Sequence, residues 1–261
     1  MIIDERTCRE VARTSRFHEI RQFGEIDSTN RYVLDRARAG TAEGLVAVAE
    51  LQRAGRGRLG RSWTAPPGTS LLVSVLLRPP LPPERMHLAT VAMALAAATA
   101  CEEVAGVRPE LKWPNDLVVG GAKLAGVLAE TDAGAVVVGL GLNVDWPEGA
   151  LPEGAVSLDR VSAARVERGQ LLAALLGALE GRCRQLGDPG GRAELAADHR
   201  AALVTLGQVV RAELSTGVVV GIAEQVDDRG HLLVRTPDGA RLEVAAGDVV
   251  HLRPAGPTTP A

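Results

Sequence analysis

Apolar and polar positions change rhythm several times along the chain, and each change predicts an element. Residues 17–26 alternate as a half-buried strand does. Asp27 and Ser28 are good helix N-caps, and residues 29–39 carry helical spacing closed by Gly40. Residues 45–51 and 71–77 are largely apolar stretches of strand length, with Pro66-Pro67-Gly68 between them. Pro82 and Pro83 introduce a long, Ala-rich helix over about 84–104. Short strands are expected at 110–113, 117–119, 123–131 and 135–140, with hairpin turns at Gly120-Gly121 and Ala133-Gly134. Residues 145–160 read as loop, and 163–186 and 192–204 as two helices.

From Leu206 the texture shifts to short Val/Leu-rich strands. They are split by Ser215-Thr216-Gly217, Asp228-Arg229-Gly230, Pro237-Asp238-Gly239 and Ala246-Gly247-Asp248, the spacing of a small β-barrel. The expected organisation is a flexible N-terminus (1–15), a main domain (16–205), a barrel (206–253) and a disordered tail (254–261).

Composition narrows the function classes. With 261 residues, 46% of them hydrophobic, a sizeable core is affordable. A net charge of -3 gives no whole-molecule field favouring nucleic acid, so that role would need a local patch. Cys8, Cys101 and Cys183 are odd in number and scattered, which fits neither a metal site nor a disulfide framework and suits a reducing cytoplasm. The N-terminus lacks a signal-peptide pattern, and the longest apolar run, 88–101, is too short to span a bilayer and reads as a core helix. A cytoplasmic protein without a membrane role is expected.

The chemistry concentrates in residues 52–63, Gln-Arg-Ala-Gly-Arg-Gly-Arg-Leu-Gly-Arg-Ser-Trp. Arg53, Arg56, Arg58 and Arg61 offer planar forks of donors for carboxylate and phosphate oxygens. Gly55, Gly57 and Gly60 let backbone approach a ligand, and Trp63 offers an apolar face to a ring. The glycines satisfy G-x-G-x-x-G, yet Pro66-Pro67 stops the helix that a dinucleotide fold needs next, and no G-K-[ST] follows for a Walker loop. A solvated loop with incidental arginines is the bland alternative. Trp63 and a second cluster argue against it.

That cluster is Lys112-Trp113-Pro114-Asn115-Asp116, where Pro114 biases Trp113 toward extended backbone and Asp116 is suited to accept a proton or orient an amine. Alone, Asn-Asp after Pro is more often a turn. Lys123, in Gly-Ala-Lys-Leu-Ala-Gly, is either a snorkelling edge residue or a fixed charge for a developing anion. Gly139-Leu140-Gly141-Leu142-Asn143 delivers one amide that can pair with a base edge or cap a turn. Trp63, Trp113 and Trp146, all the tryptophans, sit within or beside these clusters.

Together these stretches, with Asp27-Ser28-Thr29-Asn30, resemble bacterial biotin protein ligases of the short form that lacks a DNA-binding domain. The resemblance covers about residues 17–253. It implies an α+β fold, a mixed β-sheet with helices packed on it, followed by a small Src-homology-3-like barrel. It implies that biotin and ATP form biotinyl-5′-AMP and pyrophosphate, after which biotin passes to a lysine of the carrier domain of an acyl-CoA carboxylase. Ser28, Thr29, Asn30, Gln52, Arg56, Gly57, Arg58, Lys123 and Gly126 resemble the biotin-binding positions. Arg56, Arg58, Arg61, Trp63, Lys123 and Asn143 resemble those for ATP or adenylate, and Lys123, Asp116 and Arg58 the catalytic groups. Mg²⁺ would enter with ATP, no metal being fixed by the protein unless Asn115 and Asp116 take part; Arg253 is a further candidate for the ATP phosphates. Too little chain precedes the first strand for a winged helix, so DNA binding is not expected. A lipoate ligase or lipoyl transferase of the same fold, a non-enzymatic regulator binding biotin or its adenylate, and a scaffold protein are the competing readings. The Arg/Gly loop ending in Trp63 favours the biotin enzyme.

Overall fold

The computed structural model describes residues 11, 15–132, 134–214, 217–245 and 249–254. Expectations for the flexible N-terminus with Cys8, for Ala133, for the turns at 215–216 and 246–248, for the tail at 255–261 and for the Arg253 side chain lie outside the described residues.

In chain order the main unit runs β1 (Glu19–Phe23), α1 (Thr29–Arg38), β2 (Leu45–Ala49), β3 (Ser70–Leu77), α2 (His87–Ala105), β4 (Glu110–Lys112), β5 (Asp116–Val119), β6 (Ala122–Asp132) and β7 (Ala135–Asn143). Helices α3 (Leu158–Val161), α4 (Arg168–Gly187) and α5 (Pro189–Ala202) follow. The seven strands form one mixed sheet in the order β1-β2-β3-β7-β6-β5-β4, with β1 and β2 parallel and the other pairs antiparallel.

Alternation along the strands places helices on both faces. Leu45 and Ala47 of β2 pack with Val33, Leu34 and Ala37 of α1, while Val46 and Val48 join the larger core built around α2. Buried on both sides, β2 reads as an unbroken apolar run and β3 as one interrupted only by buried Ser70 and Ser74, rather than as alternating strands. Helix α2 lies between the sheet and α4 and is apolar around most of its circumference. With the preceding turn it spans Pro83–Ala105, longer than the 88–101 run suggested and long enough to cross a bilayer by length alone. Its apolar side chains are instead buried in the core.

Two helix boundaries differ from expectation for local reasons. Ser162 Oγ accepts from Ala164 N–H and donates to the Ala105 carbonyl, holding 162–164 in a turn, so α4 begins at Arg168 rather than 163. Helix α5 begins early, at Pro189, because Asp188 caps the Gly191 amide at 2.7 Å. The stretch expected as loop at 145–160 also starts the one-turn α3.

The C-terminal strands β8 (Val209–Leu214), β9 (Gly217–Val226), β10 (Leu232–Arg235), β11 (Arg241–Val244) and β12 (Val249–Pro254) pair antiparallel in the order β11-β10-β9-β8-β12. Trp113 ties this sheet to the main unit. Its backbone N–H donates to Thr205 Oγ1 (2.9 Å) and its indole N–H to the Gly230 carbonyl (3.0 Å).

Candidate functional site

The N-terminus of α1 opens into a cavity of about 460 Å³ on the α1 side of the sheet. Ser28 caps the helix by accepting from the Arg31 amide. Gln52 leaves β2 beside it, and its Oε1 accepts from the Thr29 backbone N–H (2.7 Å) and hydroxyl (3.0 Å). Beneath them Ser74 Oγ lies 2.7 Å from Thr29 Oγ1 and 2.6 Å from Asn30 Oδ1. The Asn30 amide nitrogen donates to Glu130 Oε2 (2.9 Å) and to the Leu128 carbonyl (3.3 Å). This floor offers fixed neutral donors and acceptors, suited to a polar uncharged group.

Opposite the floor, residues 55–63 fold back as a hairpin. Trp63 N–H donates to the Gly55 carbonyl and Gly57 N–H to the Arg61 carbonyl, with a 3₁₀ turn at Arg58–Gly60 as its tip. A Cβ on Gly55 would overlap the Trp63 carbonyl, so this closure needs glycine there. The Trp63 indole lies across Gly126 and Gly141, register partners on β6 and β7, and a Cβ on Gly141 would overlap the ring. The indole Nε1 is buried with no hydrogen-bond partner among the described residues.

Cations converge on this wall. Lys123 Nζ sits 2.7 Å from Asp116 Oδ1 and 5.6 Å from the Trp63 ring. Arg58 reaches Asn115 Oδ1 at 3.3 Å. Burial lowers the Arg58 pKa, Asp116 acts to raise it and neighbouring Arg61 to lower it. Desolvation strengthens the field of such a group on a bound anion. Arg56 is held by Glu130, one Nη2 lying 2.6 Å from each carboxylate oxygen. The positive end of α1 faces the same space. One cavity thus combines a cationic wall, a neutral polar floor, a lysine–carboxylate pair able to pass a proton, and a flat indole.

Of the residues singled out from sequence, Ser28, Thr29, Asn30, Gln52, Arg56, Gly57, Arg58, Arg61, Trp63, Asn115, Asp116, Lys123 and Gly126 all line this cavity. Asn143 does not: it is buried beside the wall, its amide donating to the Val156 carbonyl at 3.1 Å. Trp113 lines the cavity with its indole turned to Gly230, and its peptide bond to Pro114 is cis. Trp146 is buried with its indole N–H on Ser70 Oγ, a packing residue rather than part of the cavity. Sequence reasoning missed Ser74, Glu130 and the roles of Gly139 and Gly141. Glycines two apart in a strand leave side chains missing from one face, and that signal was open to reading.

Comparison with known proteins follows this geometry. The biotin/lipoate A/B protein ligase family model matches residues 23–145, and the biotin protein ligase C-terminal domain model matches 205–252. The biotin–[acetyl-CoA-carboxylase] ligase of Mycobacterium tuberculosis is 38% identical, over 96% of this chain and 96% of that protein. The Paracoccus denitrificans enzyme of the same name is 34% identical over 84% of this chain and 95% of its own. Among solved structures, the Aquifex aeolicus biotin protein ligase in complex with biotin and ATP superposes with a TM-score of 0.78 at 27% identity, covering 92% of this chain and all of that one.

Proposed function

This chain belongs to the biotin/lipoate A/B protein ligase family, and we infer that it is a biotin protein ligase that uses ATP to attach biotin to acetyl-CoA carboxylase. The observation carrying this reading is the meeting, in one cavity, of the Arg58/Arg61 loop, the Lys123–Asp116 pair and the neutral floor of Ser28, Thr29 and Gln52. The cavity matches the two ends of biotin: the ring system needs neutral donors and acceptors, and the carboxylate needs cations.

Two anions must meet in the first step. The biotin carboxylate attacks the α-phosphorus of ATP, a P–O bond forms, and pyrophosphate leaves with the electron pair of the broken bond. Arg58, Arg61 and Lys123 offset the repulsion and the charge developing on the phosphoryl oxygens. Mg²⁺ would be carried by the triphosphate, and Asn115 Oδ1 and Asp116 Oδ1 are occupied by Arg58 and Lys123. In the second step the acceptor amine attacks the anhydride carbonyl, the C–O bond to phosphate breaks and AMP leaves. Lys123, drawn to the adenylate, releases Asp116 to take the proton from that amine. Trp63 packs against the adenylate, its unpartnered N–H available to it. Asn143 would read the adenine edge on leaving the Val156 carbonyl. The Arg/Gly loop covers the reactive anhydride and excludes water.

The acceptor is a lysine on the biotin carboxyl carrier domain, reached in the cytoplasm, and residue 205 marks the boundary between the ligase unit and the C-terminal strands. Incubation with ATP, Mg²⁺, biotin and a carrier domain, probed with streptavidin, should label the carrier. Absence of labelling alongside tight binding of biotinyl-AMP would make the chain a regulator. Labelling with lipoate in preference to biotin would overturn the substrate.

A further inference from the structure

The lid arginines are not equivalent. Arg53 forms an ion pair with Glu25, and Arg56 is held by both oxygens of Glu130. Arg58, at the tip, donates to Asn115 Oδ1 at 3.3 Å, with the Asp116 carboxylate acting on it across space. A guanidinium–carboxylate contact at 2.6 Å, charged on both sides, is stronger than a guanidinium–amide contact at 3.3 Å, where only the donor is charged. The stem is therefore gripped by two carboxylates, more tightly than Arg58 is by Asn115, with Gly57 between the two and Gly60 beyond Arg58.

Glu130 does more than pair with a loop residue. It projects from β6 with its carboxylate about three-quarters covered (24% exposed), and the oxygen that meets Arg56 also accepts from Asn30 Nδ2. Asn30 leads through Ser74 to Thr29 and Gln52, the cavity floor. A continuous run of contacts thus connects the lid stem to the groups that face the ligand.

We propose that Glu130 is a positioning residue that clamps the lid stem through Arg56 and so confines lid motion to the tip, residues 57–61. The inference rests on the reading above and deepens it, assigning Arg56 to anchoring and leaving Arg58 and Arg61 to face the adenylate. A stem fixed beside the floor lets the tip close in one register, so the adenylate is retained until transfer.

Trypsin reports on the clamp without reference to the reaction. Ligand-free protein should be cut after Arg58 and Arg61 and spared after Arg56; Glu130→Ala should open the Arg56–Gly57 bond to cleavage, and Glu130→Gln should fall between. In the adenylate-release assay, Glu130→Ala should raise the rate at which biotinyl-AMP escapes about ten-fold, while its formation at saturating substrates slows less than three-fold. Arg56→Ala combined with Glu130→Ala should speed release by clearly less than the two single effects together, because the Arg56–Glu130 contact is lost only once while the Asn30 contact of Glu130 is lost separately. Unchanged cleavage and release in Glu130→Ala, or additive effects in the double variant, would overturn the clamp. Should the parent protein form no adenylate, the assigned reaction fails, and the cleavage pattern still decides whether Glu130 fixes the stem.

Discussion

Gly139→Ala is the sharpest test of the cavity floor. Gly139 is in β7 between Ser74 of β3 and Leu128 of β6, and its φ is not in the left-handed region, so alanine can adopt the backbone. The difficulty is space, since a Cβ there would overlap Asn30 Oδ1 and come within 2.9 Å of Cγ. Asn30 is buried (5% exposed) and makes three contacts, with Ser74, the Leu128 carbonyl and the Glu130 carboxylate. Displacing its amide loses two neutral hydrogen bonds at about 1 kcal/mol each and one to a charged group at about 1.5–3 kcal/mol. Alanine in place of glycine within a strand returns roughly 0.5–1 kcal/mol. The net cost is about 3–4 kcal/mol, a fall in Tm on the order of 10 °C for a chain of this size.

Because Ser74 and Thr29 share the same network, KM for biotin should rise as well. Calorimetric melting and steady-state adenylation measure the two effects. The decisive arm is the pair Gly139→Ala with Asn30→Ala. If overlap with Asn30 is the cause, removing that side chain makes room, and the double variant is no less stable than Asn30→Ala alone. A single Gly139→Ala variant that melts within a degree of the parent, or full additivity in the pair, would refute the steric argument.

Three further outcomes are expected. Lys123→Ala should slow adenylate formation about 10²–10³-fold, the usual loss for one preorganised electrostatic group; a burst of pyrophosphate release at the parent rate would rule this role out. Asp116→Asn should slow transfer from pre-formed biotinyl-AMP to the carrier more than it slows adenylation, and equal slowing of both steps would remove Asp116 from the proton-accepting role. Burial, with the charges of His87 and Arg200, lowers the pKa of His199 to about 4. An unfolded histidine titrates near 6.5, so the unfolded chain takes up the proton first as pH falls. The contribution is complete above that value and drains toward pH 4, costing about 2 kcal/mol between pH 7 and 5. Urea midpoints at the two pH values should show this fall, and His199→Gln should flatten it; an equal fall in the variant would contradict the assignment.

Most elements of the main unit were legible because burial on one or both faces leaves a period that sequence preserves. Helix α1 carries its own cap in Ser28, and β2 and β3 announce burial on both faces by apolar residues at successive positions. The cavity was legible for a different reason: its cations and its amide and hydroxyl groups are clustered in short segments of chain. What the sequence hid were pairings over long separations. Glu130 carries no local signal within the strand expected at 123–131, and only the register of β6 against β7 and the return of the loop after β2 bring it to Arg56 and Asn30. Tryptophan placement misled in one case, since Trp146 neighbours the motif strand but fills the core against Ser70. Asn143 lies in register with Ser70 at the end of β7, and its partner Val156 sits in a loop whose path no local pattern predicts.

Under the proposed mechanism, the Lys123–Asp116 contact would tie the two half-reactions together. Each group neutralises the other at 2.7 Å, which keeps a partly buried lysine from standing uncompensated before substrate arrives. In the proposed reaction, adenylation would draw the lysine to the α-phosphate, where the greater negative charge of the triphosphate competes with a single carboxylate. Transfer demands a carboxylate open to an incoming ammonium, and that condition is met only after the lysine has turned away. On the proposed reading, that movement would free Asp116 as the acceptor's proton sink, and the order of the steps would follow from the lysine's exchange of partners. Trp63 is positioned to favour that order, its ring face 5.6 Å from the Lys123 ammonium, as the lysine exchanges one anionic partner for the next.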